Sequence, residues 1–215
     1  ATGGAALDIG GAVTLMSPGA LALNAVGLST STGAGVLSVQ TPGAVSFNGT
    51  VSGAGSLDLR GIGGKVSLLG ANSYAGGTRF ANNTVVLGSN TALGTGAVSI
   101  EGDTALSGNA ALTLGNAFAI GKSNSLAISG PTLTLNGQIS GDGSIVKQGA
   151  ATLTLGGAST YTGGTTVTAG TLSINNASGS ATGTGAVQVQ TGATLMGSGA
   201  IAGPVNVALG ARLSV

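Results

Sequence analysis

A short apolar–x–apolar unit recurs along the whole chain, with clusters of glycine, asparagine or serine between the units. Sixteen such units run from Val13-Thr-Leu15 through Leu57-Asp-Leu59, Leu112-Thr-Leu114 and Leu153-Thr-Leu155 to Leu213-Ser-Val215. Each reads as a strand of about three to five residues with alternating faces. Helical periodicity is absent, and 43 glycines recur too often for a helix to propagate. Many short, evenly spaced strands suit a sandwich, a propeller or a solenoid. The strands are short for a sandwich, whose strands usually run about five or six residues. The inward positions carry small or branched side chains, which suit a narrow interior. A coil stacked on itself also satisfies its backbone groups rung to rung, so it needs few charges. The expectation is all-β: a single-stranded right-handed parallel β-helix, one continuous β-solenoid over residues 1–215. At roughly 20 residues per rung it makes about ten rungs, a rod of about 50 Å.

Composition removes most other classes. There is no His, Cys or Trp, hence no Ser-His-Asp triad, cysteine nucleophile or ordinary zinc site. Six Lys/Arg and a net charge of +1 do not make a nucleic-acid binder. Charged residues are 5% of the chain, against about 25% in an ordinary soluble domain. The apolar fraction of 42% opposes disorder. No apolar run approaches the roughly 20 residues of a membrane helix. No signal peptide is visible and the chain starts at Ala1, so a mature product or fragment is expected. Absence of Cys is compatible with passage through an oxidising periplasm.

A longer repetition overlies the short one, with copies at about 51–100 and 139–189. Val51-Ser-Gly-Ala-Gly-Ser-Leu57 matches Ile139-Ser-Gly-Asp-Gly-Ser-Ile145. Val66-Ser-Leu-Leu-Gly-Ala-Asn-Ser-Tyr-Ala-Gly-Gly-Thr78 matches Leu153-Thr-Leu-Gly-Gly-Ala-Ser-Thr-Tyr-Thr-Gly-Gly-Thr165, and Gly94-Thr-Gly-Ala-Val98 matches Gly183-Thr-Gly-Ala-Val187. The offsets are 88, 87 and 89, the one-residue differences expected in turns. Asn83 stands opposite Gly170; both residue types tolerate a left-handed backbone, which predicts the same turn in both copies.

The second copy, Leu153-Thr-Leu through Thr171-Leu-Ser-Ile174, resembles the passenger-associated transport repeat of bacterial autotransporters. The resemblance extends from Ile139 to Val205 and is weaker in the first copy, where Arg79 and Phe80 replace Thr166 and Val167. It implies a right-handed parallel β-helix carried outside a Gram-negative cell by its own C-terminal membrane barrel. These 215 residues contain no such barrel of amphipathic strands. The expectation is a passenger without its barrel, or a fibre subunit built on the same repeat. No polar cap is visible over residues 1–11 or at the C-terminus, which suits a fragment and equally head-to-tail stacking.

Candidate chemistry is sparse. The carboxylates are Asp8, Asp58, Glu101, Asp103 and Asp142. Glycoside cleavage needs two of them about 5–10 Å apart across a cleft. Glu101 and Asp103 are two apart but read as a solvated turn; Asp58 and Arg60 read as a surface ion pair, and Asp142 as a turn residue between glycines. Residues 116–123 mimic a phosphate loop, with Asn116 where the first glycine belongs and no helix to follow. Residues 197–202 fit a dinucleotide fingerprint only as chance allows in a glycine-rich chain. The middle positions of the units are small and polar, but their threonines do not recur at every rung. In chain order they disfavour an ice-matching array and leave a flat adhesive face open. Tyr74 and Tyr161 occupy equivalent positions, which suggests packing over a turn rather than glycan binding.

No catalytic, cofactor-binding or metal residue emerges, and no cofactor is expected. The sequence points to a non-enzymatic, extracellular structural β-solenoid on the bacterial surface, secreted across the outer membrane: a stalk, an adhesin or a self-assembling matrix fibre. Its expected partners are copies of itself, head-to-tail or lateral, or a host or matrix surface, without nucleic acid and without membrane insertion by this chain. Rung stacking outside the cell is a candidate energy source for secretion. The alternative is a carbohydrate-active β-helix of the lyase or hydrolase kind.

Overall fold

A computed structural model describes residues 7–8, 11–24, 26–27 and 35–214. These residues form 26 short strands and no helix, and every strand pairing is parallel. The strands stack on three sides of a solenoid. The first side is a seven-stranded sheet running from Ala12–Met16 to Ile139–Gly141. The second is a ten-stranded sheet from Leu21–Leu23 to Val205–Val207, whose ten strands mark about nine turns. The third side carries a three-stranded sheet ending at Val51–Ser52 and a six-stranded sheet from Leu112–Leu114 to Arg212–Ser214. All sixteen units of the sequence pattern lie on strands, the last as Arg212–Ser214. Val215 and residues 1–6, 9 and 10 of the apolar N-terminal stretch lie outside the described residues.

Alternation along each strand builds the core. In Thr152–Leu155 the leucines are buried while Thr152 and Thr154 face outward. Leucine, valine and isoleucine from all three sides line the interior, together with all five aromatic residues: Phe47, Phe80, Phe118, Tyr74 and Tyr161. At the corners the turns stack so closely that only glycine fits. A Cβ on Gly64 would stand 2.5 Å from the Gly43 carbonyl carbon, and one on Gly43 would stand 2.5 Å from that of Gly19.

The two long copies are not stacked face over face. Leu57, Thr78 and Val98 lie on the first side, but their counterparts Ile145, Thr165 and Val187 lie on the second. Likewise Val66 and Val85 lie on the second side, and Leu153 and Leu172 on the third. An offset of 87–89 residues is about four and one-third turns at roughly 20 residues per turn, so the second copy is rotated by one side. The strandless stretch moves with it. In the first copy Ser73 donates its backbone N–H to Val51 on the third side, and in the second Thr160 donates to Ile139 on the first.

Candidate functional site

The repeat's most distinctive residues point inward. Tyr74 and Tyr161 are both fully buried, and their hydroxyls bond those of Thr78 and Thr165. Burial pushes both phenols well above the ordinary tyrosine range. They are therefore unavailable to a glycan. The corner before each tyrosine is closed by a side chain that replaces a missing strand partner. Asn72 Oδ1 accepts the Val51 N–H at 2.8 Å while its Nδ2 donates to the Ala92 carbonyl at 2.6 Å. In the second copy Ser159 Oγ accepts the equivalent N–H, from Ile139, at 3.2 Å. Gly77 and Gly164 follow with φ of +87° and +83°, then Gly94 and Gly183 with +63° and +61°, so the turns around each tyrosine share one backbone path.

The turn after Phe80 differs from expectation. Gly170 is left-handed at φ +70°, but the left-handed residue of the first copy is Asn82, at +57°, not Asn83. Asn83 instead buries its amide, accepting the Ala81 N–H at 2.8 Å and donating to the Ile62 carbonyl at 3.3 Å. The side chain caps the corner, so the turn shifts by one residue.

Asp58, Arg60, Arg79 and Glu101 gather on the first side and the corner after it. Arg79 pairs in register with Asp58. Asp58 and Arg60 both face outward, and a bulge opposite Ser38 and Gln40 places Gly61 outward as well. Arg60 there donates to Asp58 at 2.6 and 2.8 Å and to Glu101 Oε2, two rungs on, at 2.6 Å. Arg79 lies 3.7 Å from the other Glu101 oxygen. The Arg60 guanidinium holds the Asp58 carboxyl below its usual range, and the two carboxylates hold Arg60 protonated. At such exposure each pair contributes at most about 1 kcal/mol.

The Glu101–Asp103 pair does not converge on a cleft. Glu101 is engaged by Arg60, whereas Asp103 accepts the Ser125 N–H and hydroxyl at 2.8 and 3.0 Å. Asp142 accepts the Thr162 hydroxyl at 3.0 Å. Among the described residues no cluster of three His, Cys, Asp or Glu forms that would hold a metal. Residues 116–123 form no phosphate loop: the buried Asn116 amide donates to the Gly94 and Gly96 carbonyls, and Phe118–Ile120 is a strand. At 197–202, Gly197 ends a strand and the Asn176 side chain holds the Ala200 N–H. Asp8 contributes backbone to strand Leu7–Asp8, and its side chain lies outside the described residues.

Two features become visible only in three dimensions. Lys147 occupies an inward strand position beside Ile128 and Val167 and is 2% exposed. Its ammonium donates to the Gln148 and Gly149 carbonyls at 2.7 Å and to Ala169 at 3.2 Å, and burial lowers its pKa. The second feature is on the third side. Sorted by sheet, the middle positions Thr113, Thr134 and Thr154 form one outward column on successive rungs, continued in register by Ser173, which is buried. Thr152, Thr171 and Thr194 form a second column beside it.

The passenger-associated-transport-repeat family matches residues 63–87 and 145–174. No curated protein and no solved structure matches the chain. The class defined by the fold is a parallel β-solenoid without helices. Within that solenoid, two stretches are similar to the passenger-associated transport repeat. Each matched stretch spans three or four strands and contains one buried tyrosine with the side chain that caps its corner.

Proposed function

We propose that this chain is a structural segment of a surface-displayed passenger, a stiff rod acting as stalk, adhesin or matrix-fibre subunit rather than as a catalyst. The observation that carries this reading is how the repeat uses its residues. Its tyrosines and corner amides are spent on stacking one rung on the next, and Asp58, Glu101, Asp103 and Asp142 are engaged by neighbouring side chains and backbone. The fold supplies stiffness and the outward residues supply contact. Self-association is part of the proposal: laterally through the second and third sides, which carry few charges, or head-to-tail through the apolar turn of Val205, Val207 and Leu213, which are 39%, 42% and 55% exposed. A host or matrix surface is the other partner class.

The chain joined to a signal peptide and an outer-membrane barrel in a Gram-negative host should be cut by added protease at its linkers on intact cells. It should then be released as a resistant core. Retention inside the cell, or rapid digestion throughout its length, contradicts the reading. Electron microscopy of the purified chain over a concentration series tests association. Filaments or bundles support it, and single short rods at every concentration remove it while leaving the stalk.

A further inference from the structure

We infer that the third side is an ice-binding face. Three successive rungs there read Thr-Leu-Thr, Thr-Leu-Thr and Thr-Leu-Ser, with the leucines inside, Thr132, Thr134, Thr152, Thr154 and Thr171 outside, and Ser173 buried at the end of its column. Thr113 and Thr194 extend the array by one rung at each end, and Met196 and Arg212 close it. The pairing is parallel and in register with no bulge, so the side chains repeat about every 4.8 Å along the axis and about 6.6 Å across each strand. Threonine is stiff at χ1, so the array is held rigid before any ligand arrives.

Three further observations narrow the ligand. Among the described residues the hydroxyls of Thr113, Thr134, Thr152, Thr154 and Thr171 have no hydrogen-bond partner in the protein; Ser173 alone of the column is engaged, with the Asn175 amide at 3.4 Å. No charged side chain stands on these three strands, whereas Asp58, Arg60, Arg79 and Glu101 gather on the first side. All five aromatic residues are buried, so the face offers no platform on which a sugar ring stacks. What remains is a flat, uncharged lattice of hydroxyls alternating with methyl groups. Its complement is a ligand with hydrogen-bonding atoms at rigid regular intervals, and ice presents such a surface. Hydroxyls join the lattice while methyls shed loosely held water, and a preorganised face loses little entropy on docking. Chain order hid this array because it interleaves three sides.

The inference rests on the surface-rod reading only for where ice would be met, and its test needs the purified chain alone. Ice itself is the probe, in slow-freezing partition and in single-crystal growth under a microscope. The wild-type chain should concentrate in the ice fraction and facet the crystal. The double variant Thr134→Tyr/Thr154→Tyr should partition like an inert control protein. Thr166→Tyr, outward on the second side, should behave as wild type. Circular dichroism of each variant establishes that it remains folded. Exclusion of the wild type from ice, binding unchanged in the double variant, or retention on cellulose without enrichment in ice overturns the inference. None of these outcomes touches the rod.

Discussion

At the residue scale, the chain is held by polar side chains that stand in for absent strands. Asn72 serves two backbone groups at its corner, the Val51 N–H and the Ala92 carbonyl. Asn72→Ala removes the partner of both and should cost about 2–6 kcal/mol at about 1–3 kcal/mol per buried group. Asn72→Ser keeps the acceptor, as Ser159 does, and should cost less; urea midpoints of the two variants decide the order. Lys147 gives a pH signature. Burial lowers its pKa, so the unfolded chain binds that proton more readily, and stability should rise with pH as the unfolded value near 10.5 is approached. The raised tyrosines act oppositely, removing stability only once unfolded phenols ionise above about pH 10. Urea midpoints between about pH 8 and 10 should therefore climb in the wild type and stay flatter in Lys147→Met. Little of this was legible beforehand. A lone lysine after two apolar residues carries no sign that its stem turns inward, and Asn72 became readable only through its alignment with Ser159.

At the scale of elements, period-two patterning located strands wherever both inward residues are aliphatic. It passed over several strands whose inward positions hold other residues. Thr78–Phe80 and Thr165–Val167 bury a threonine at the first position, and Ser144–Lys147 buries a lysine at the last. Threonine and lysine read as outward residues until a tyrosine hydroxyl or a ring of carbonyls is found to meet them. The copies were legible as sequence, but their rotation was not. An offset of 87–89 residues says nothing of sides until the number of residues per turn is known. Glycine stacking is the other element-scale determinant. Gly64→Ala places a methyl group against the Gly43 backbone and should lower stability by about 1–3 kcal/mol, the usual range for overpacking. Gly115→Ala, with open space around its Cβ position, should leave the thermal midpoint nearly unchanged.

At the scale of the whole molecule, sequence sufficed for class and architecture because one unit is repeated and each copy testifies to the same coil. Surface properties were less accessible, since they depend on which outward residues become neighbours. Arg60 and Glu101 are 41 residues apart and form one ion pair; Thr134 and Thr154 are adjacent only because one turn separates them. The central claim is that rungs stack in sequence along one axis, and pulsed EPR measures that directly. The chain has no cysteine, so spin labels at Ser46→Cys and Gln188→Cys are unique. Both positions face outward on the second side, on its second and ninth strands, seven steps apart. A stacked solenoid predicts a single narrow distribution centred near 34 Å, at about 4.8 Å per step. A broad distribution, or a peak below about 20 Å as when two sheets pack about 10 Å apart, contradicts it.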